Sequence, residues 1–271
     1  MRGVSRASFA DLTERLAAED ITSANVATRL ANELFAVVGL LDAQHRLRRA
    51  LSDPGKPAAE KAAVARALLH GKVARRTEDL VAAAVESHWA TSGDMVDAIE
   101  QLAIEAMVLA ADSEGSLDEL EDELFRFGRV VEAQPELRAA LTDPSMPEEG
   151  KQRLLGDLLA GKVSAAALHL IRQMVAHPRG RSLSAALDLC ASIAARRRQQ
   201  LIAVVRSAVE LSANQRRRLA QALAASYGHR VHLNVVQDPS VVGGISVRIG
   251  DELIDATVTT RLAEVRRKLA G

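Results

Sequence analysis

A chain of 271 residues is long enough for two or three domains of about 100–150 residues each. Its Lys and Arg number 35 and its Asp and Glu number 35, so no net field draws it to nucleic acid or to an anionic membrane surface. The one cysteine, Cys190, excludes an intrachain disulfide and a cysteine-based metal site, and is expected as a small buried apolar residue.

From Val4 to about Trp89 the pattern is helical, in keeping with abundant Ala and Leu and only 2% aromatic residues. Ser5 or Ser8 can cap a first helix carrying Phe9, Leu12 and Leu16. Ser23 precedes a second helix, with Val26, Leu30, Leu34, Val37 and Leu41 in one stripe. Ser52-Asp53-Pro54-Gly55 breaks the run. Pro57 suits the first position of a helix running to Leu69 and ended by Gly71, which should take the left-handed conformation there. Thr77 can cap the next helix, with Leu80, Val81, Ala84 and Val85 inward. No apolar run reaches the roughly 18 residues of a membrane span, and the N-terminus lacks the apolar core of a signal peptide. A soluble, cytoplasmic chain is therefore expected.

That layout then repeats. Residues 50–73 (ALSDPGKPAAEKAAVARALLHGKV) align without a gap to residues 140–163 (ALTDPSMPEEGKQRLLGDLLAGKV), so that Asp53-Pro54 recurs 90 positions on as Asp143-Pro144. The same offset pairs Glu33-Leu34-Phe35 with Glu123-Leu124-Phe125, Leu80-Val81 with Leu170-Ile171, and Gly71 with Gly161. The shared positions are the apolar stripe and the helix stops, which points to a duplicated helical bundle rather than a short-repeat solenoid. Two tandem bundles, 1–91 and 92–180, are expected to share one topology and to fold independently.

Residues 181–200 read as a connecting helix with Leu183, Leu187, Cys190 and Ile193 on one face. After it the period changes. Leu201 to Val209 is strand-like, and Ser212 with Gln215 forms a capping box for a helix through Leu219, Ala222 and Leu223, stopped at Gly228. Val231, Leu233 and Val235 alternate with His232, Asn234 and Val236 until Asp238-Pro239. Gly243-Gly244, expected at positive φ, leads to a strand with Ile245, Val247 and Ile249 inward and Ser246 and Arg248 outward. Gly250-Asp251 suits a two-residue turn that would bring Ile254 opposite Val247. A last helix is expected near 257–269. The fold class expected is thus mainly α: two tandem duplicated bundles followed by a small α+β C-terminal domain, 201–271.

The stretch DPSVVGGISVRIGDELIDATVTTRL resembles the C-terminal signature of the delta subunits of F-type ATP synthases, the bacterial counterparts of the oligomycin-sensitivity-conferring protein. The matching positions are Asp238, Pro239, Ser240, Gly243, Gly244, Arg248, Gly250, Asp251, Ile254, Asp255, Arg261 and Leu262, and the resemblance extends upstream to about Leu120. It implies a non-catalytic stator subunit, without cofactor, on the cytoplasmic face of a bacterial membrane. In that family the helical bundle grips the N-terminal helices of the head's alpha subunits and the C-terminal domain holds the membrane-anchored b subunits. Leu137, Leu141, Leu154, Leu158, Leu170 and Met174 are the candidate lining of the head-binding groove, and Asp238 to Arg261 the candidate contact for b. The family has one bundle, and the second copy matches it better, so the first is the addition. Some actinobacterial relatives fuse delta to a b-like span; none precedes Met1, so b is expected as a separate chain. No homo-oligomer is expected.

Other clusters are weaker. Arg196–Arg198, Arg216–Arg218 and Arg266–Lys268 could meet phosphates, but one Trp and one Tyr give bases no stacking platform. They fit solvated faces or an acidic partner helix better. His229 and His232 point to opposite faces of a strand, which disfavours a shared metal. Gly243-Gly244 lacks the Lys-Ser/Thr of a phosphate loop. Nothing forms a catalytic set. The acidic segment Asp112–Glu123 reads either as a solvated face or as a docking surface for a basic partner. The alternative to a stator is a general helical adaptor or an RNA-binding regulatory protein.

Overall fold

The computed structural model describes residues 3–19, 21, 23–198, 201–227, 231–239, 241, 243–249 and 252–255. Two compact units divide the chain, 1–195 and 196–271. The first contains α1 (Val4–Ala18), α2 (Ala24–Ala43), α3 (His45–Ser52), α4 (Ala58–Leu69), α5 (Arg75–Glu86) and α6 (Ser92–Ser113). It continues with α7 (Leu117–Ala133), α8 (Pro135–Thr142), α9 (Glu148–Leu159), α10 (Ala165–Ala176) and α11 (Leu183–Arg198). A shift of 90 residues lays α3, α4 and α5 on α8, α9 and α10 end for end. The same shift puts α1 inside α6, and the start of α6 on the start of α11. One helix, α6, is therefore both the last of the first copy and the first of the second.

The composition of α6 explains this. Met95, Val96, Ala98, Ile99, Leu102, Ala103, Ile104, Ala106, Met107, Val108, Ala110 and Ala111 are all buried, covering the helix except for a half-buried polar strip of Asp97, Gln101, Glu105 and Asp112. A helix apolar over most of its circumference must be enclosed on most sides. It packs against α1, α2, α3 and α5 of the first copy and against α7 and α10 of the second. The buried apolar side chains from Leu12 to Ala194 accordingly form one cluster. Residues 1–91 and 92–180 pack within one compact unit, and a cut at residue 91 would remove the helix that covers α2. Nor is α11 a mere connection. Leu183, Ala186, Leu187, Cys190, Ile193 and Ala194 belong to the same core.

Local chemistry follows the repeat closely. Gly71 and Gly161 stand just past α4 and α9 with φ of 71° and 67°, where a side chain would be strained. Asp53 Oδ1 accepts from Gly55 N–H at 2.9 Å, and Asp143 Oδ1 accepts from Ser145 N–H at 2.8 Å and Ser145 Oγ at 2.7 Å. The Ser145 hydroxyl and backbone bonds together hold the Asp143 carboxyl below its usual range. Ser23 caps α2, as expected. Other caps differ. Helix α1 begins at Val4, before either serine; Ser5 is buried and donates to Asp94 Oδ2 at 2.7 Å. Thr77 lies inside α5, not at its start, and Pro57 is the cap of α4 rather than its first residue. Val26 falls off the stripe and is exposed. By length and composition α2, 20 residues long, could cross a membrane, contrary to the sequence expectation. Here it is a core helix, with Ala27, Leu30, Ala31, Leu34, Phe35, Val37, Val38 and Leu41 buried.

The second unit is a sheet with one helix: β1 (Leu201–Ser207), α12 (Ala213–Tyr227), β2 (Val231–Gln237), β3 (Ile245–Ile249) and β4 (Glu252–Asp255). The strand order is β2-β1-β3-β4. Strand β1 pairs parallel with β2 across the α12 connection and antiparallel with β3. Ala203, Val205, Leu223, Val231, Val247 and Ile249 form its core. The β3–β4 register sets Val247 opposite Ile254, as the turn argument requires. Ser212 N–H and Gln215 Oε1 meet at 2.9 Å, and Gln215 N–H returns to Ser212 Oγ at 3.3 Å, completing the capping box. Gly243 and Gly244 have φ of 66° and 80°. Val209 lies beyond β1 and is exposed. The expectations at Gly228, His229, Ser240, Gly250, Asp251, Arg261, Leu262, Arg266–Lys268 and the last helix lie outside the described residues.

Candidate functional site

The six leucine and methionine positions expected to line a groove separate into two sets. Leu141, Leu170 and Met174 are fully buried in the common core and present nothing to a partner. Leu137 on α8 and Leu154 and Leu158 on α9 pack on that core from outside and stay half-buried. The helical period is the reason: Leu155 and Leu159, one step round from Leu154 and Leu158, take the inward positions. An apolar edge therefore remains on α8 and α9, narrower than the sequence implied.

Behind that edge each copy is fastened by a glutamate. Glu33 on α2 accepts from Ala74 N–H, at the cap of α5, at 2.9 Å and from the Thr77 hydroxyl within its first turn. Its equivalent Glu123 on α7 accepts from Ser164 N–H at 3.0 and 2.9 Å and from Ser164 Oγ at 2.7 Å, at the start of α10. Each carboxylate thus satisfies amide groups that a helix start leaves open and sits where the helix dipole favours negative charge. Burial alone pushes the Glu33 carboxyl up, but bonds from Thr77, Arg29 and Ala74 outweigh it and hold it below the usual range.

Where the copies meet, the loop between α10 and α11 inserts two arginines. Arg179 Nη2 donates to Asp97 Oδ1 at 2.7 Å, and its Nη1 to Asp42 Oδ2 at 3.2 Å. Arg181 Nη2 reaches both oxygens of Glu100 at 2.6 Å. Arg48 of α3 approaches the same Asp42 at 3.4 Å. This cluster ties α2, α3 and α6 to the far end of the second copy. Burial raises the Glu100 carboxyl, against the opposing pull of Arg181 and Arg179. The backbone accommodates Arg179 at φ 50°, a left-handed position sparsely populated by residues with a Cβ. Sequence reasoning missed this cluster. Its signal was present in Arg179-Gly180-Arg181, where the first copy has Trp89-Ala90-Thr91.

Two further side chains mark the same junction. The rings of Phe35 and His169 are tilted against each other with centroids 5.8 Å apart. Burial, then the charge of Arg172, lowers the His169 pKa, so the neutral imidazole is favoured. Cys190 is buried and its thiol is pushed up to about 12 by burial and then by Glu100, which leaves it a core residue with no thiolate chemistry. Among the described residues no group of three or more His, Cys, Asp and Glu is placed to hold a metal ion.

In the sheet unit, Asp238 N–H donates to Ser207 O at 2.9 Å, closing the end of β2 onto β1. Its carbonyl accepts from Val241 N–H at 3.1 Å, so Asp238-Pro239 opens a compact turn leading to Gly243 and Gly244. Arg248 is exposed on the outer face of β3 opposite Val204 and Leu253, and Asp255 sits opposite Ser246. The described part of the signature thus shapes a turn and an outer sheet face. Neither unit assembles a reacting centre among the described residues.

Residues 104–269 match the family described as the ATP synthase delta (OSCP) subunit, a match that begins inside α6 and leaves α1 to α5 outside it. The "ATP synthase subunit delta" of Streptomyces griseus is 48% identical over 272 residues, covering 100% of both chains. That of Thermobifida fusca is likewise 48% identical over 100% of both chains. That of Streptomyces avermitilis is 46% identical over 99% of this chain and 98% of its own. Both copies of the repeat are therefore spanned by these relatives.

Proposed function

We propose, from the premise that this chain belongs to the ATP synthase delta (OSCP) family, that it is a non-catalytic stator subunit in the peripheral stalk of the F-type ATP synthase. In this reading the helical unit takes N-terminal helices of the alpha subunits along the apolar edge of Leu137, Leu154 and Leu158. The sheet unit takes the b subunits on the face that carries Arg248 and the Asp238–Gly244 turn. The chain is held at the cytoplasmic face of the bacterial membrane by those partners. The observation that carries the proposal is that the family match runs through both compact units, from 104 to 269. A link between two partners needs two separate surfaces, and short paired helices with an apolar edge suit an amphipathic helix.

The test is reconstitution. Membranes stripped of this chain should still hydrolyse ATP but fail to pump protons, and adding the chain back should restore pumping. Full proton pumping by a complex lacking the chain would overturn the reading.

A further inference from the structure

Helices α6 and α11 stand at equivalent places in the repeat, each closing the copy before it. Different chemistry holds them there. The loop ahead of α6 is tied to α1 by neutral groups: Ala90 N–H donates to Ser5 Oγ at 2.9 Å, and Ser8 Oγ donates to the His88 carbonyl at 2.7 Å. Within that loop Trp89 Nε1 donates to the Ala84 carbonyl at 2.7 Å. The loop ahead of α11 is tied by guanidinium groups instead, Arg179 to Asp97 and Asp42 and Arg181 to Glu100.

That difference decides what happens when a helix lifts away. An apolar seal forfeits its whole burial on opening, whereas parted ions regain the hydration that closure had removed. The closed state of α11 is also imperfect. Arg181 Nε is buried without a hydrogen bond, and Arg179 Nε, equally buried, stands 3.8 Å from Glu100, beyond hydrogen-bond reach. Arg179 and Gly180 lie one after the other in the left-handed region, at φ of 50° and 72°, and opening relieves the first of them. Against this, α11 buries one face of six side chains, of which Ala186, Ala194 and Cys190 are small. Helix α6 buries twelve apolar side chains. Stabilisation scales with the apolar area covered, so α11 is the less firmly held of the two.

We propose that α11 is a latched lid, which lifts off α6 and α7 while the rest of the helical unit stays folded, with Arg179 and Arg181 as the latch. Elements that open by themselves are those with the least buried apolar packing. Leu187 lies against Gly128 of α7, its Cδ1 4.0 Å from where a Cβ would stand. Cys190, one turn further along, is buried beside Glu100 and Arg181. Lifting α11 parts both contacts and brings the Cys190 thiol into water, where it returns from about 12 to its ordinary value near about 8.5. The chain passes from the helical unit to the sheet unit along α11, so a pull on the sheet unit reaches the helical unit at this latch. The proposal does not depend on the stator reading.

Cys190 is the one cysteine of the chain, so its alkylation by iodoacetamide reads the opening without an added probe. The full chain is treated in native buffer and in urea below its unfolding midpoint, and the adduct is followed by intact mass. Expected is a labelling rate whose urea dependence is at most about a third of that of global unfolding, because the slope follows the surface exposed. Val81→Ala, in the core of the first copy, should lower the unfolding midpoint yet leave the rate within about twofold, as for independent sites. Arg181→Met should raise the rate about tenfold or more, the scale of a lost charged hydrogen bond. Asp97→Asn, which weakens the latch from the α6 side and keeps the shape of that side chain, should raise it too and serves if Arg181→Met does not fold. A native chain that stays unlabelled, a urea slope equal to that of global unfolding, a rate that rises with Val81→Ala in step with lost stability, or latch variants labelled like the parent would each overturn the proposal.

Discussion

The first copy of the repeat and the second are built from corresponding helices, three of them with matching bounds, yet they solve different problems. In the first, α2 is enclosed on both flanks, by its own helices and by α6 with the α10–α11 loop. In the second, the corresponding α7 is enclosed on one flank only. Positions that set the backbone recur unchanged: Asp53 and Asp143, Gly71 and Gly161, Glu33 and Glu123. Positions that face the neighbour have diverged, as Phe35 and Phe125, Gly39 and Arg129, and Trp89 and Arg179 illustrate. A duplicated fold thus keeps its turns and fastenings and varies its outward strips.

The largest effect should come from dividing the copies. A fragment ending at residue 91 lacks α6 and leaves the α2 stripe uncovered, so it should show no cooperative melt by far-UV circular dichroism. A fragment extended to residue 113 should regain one. A cooperative melt of 1–91 would mean that the copies are separable after all.

Next in size is the charged junction. Arg179→Ala leaves Asp42, Asp97 and the buried Glu100 short of a partner, and removal of one side of such a group costs about 3–5 kcal/mol. Urea denaturation of the full chain measures it; a loss under about 0.5 kcal/mol would show that apolar packing alone seals the copies.

The glutamate fastenings allow a matched test. Glu33→Gln and Glu123→Gln should each cost about 1–3 kcal/mol, since each leaves buried donors less well satisfied, and the two values should agree closely. The Glu33 carboxyl is depressed in the fold. Its contribution is therefore present above the unfolded carboxylate value of about 4.3 and is lost as pH falls through the lower folded value. The gap between wild type and Glu33→Gln should accordingly close on acidification. A gap unchanged down to low pH would assign the cost to shape rather than charge.

Smallest, Gly71→Ala and Gly161→Ala should each destabilise by about 1–2 kcal/mol, the cost of a Cβ in the left-handed region. Nothing lies within 4 Å of a Cβ added at either position, so no clash adds to it. Unequal losses would reveal a difference in backbone that the matching φ values do not.

Local chemistry made much of this fold readable in advance. The repeat offset, the two glycine stops, the Ser212–Gln215 box and the Val247–Ile254 register all depend on neighbours close in sequence or on turn geometry. What escaped depends on distance along the chain. Asp42, Asp97, Glu100 and Arg179 are each unremarkable in their own helix or loop, and only packing brings them together. The groove shows the same limit differently. Leu154 and Leu155 are identical in type and adjacent, and a helical period marks a face as apolar without saying which edge of it stays open. That β1 lies inside the sheet, between β2 and β3, likewise depends on pairing across α12 that no local pattern encodes.

The sharing of α6 has a consequence for how such a chain can lengthen. Six helices wall each copy, but the repeating unit of 90 residues contains five, because the sixth is always the first of the next. Like arches in an arcade, neighbouring copies stand on a common pier. A further copy would need five new helices, and an excision would keep every wall standing only if it removed a whole 90-residue period and rejoined one pier to the next.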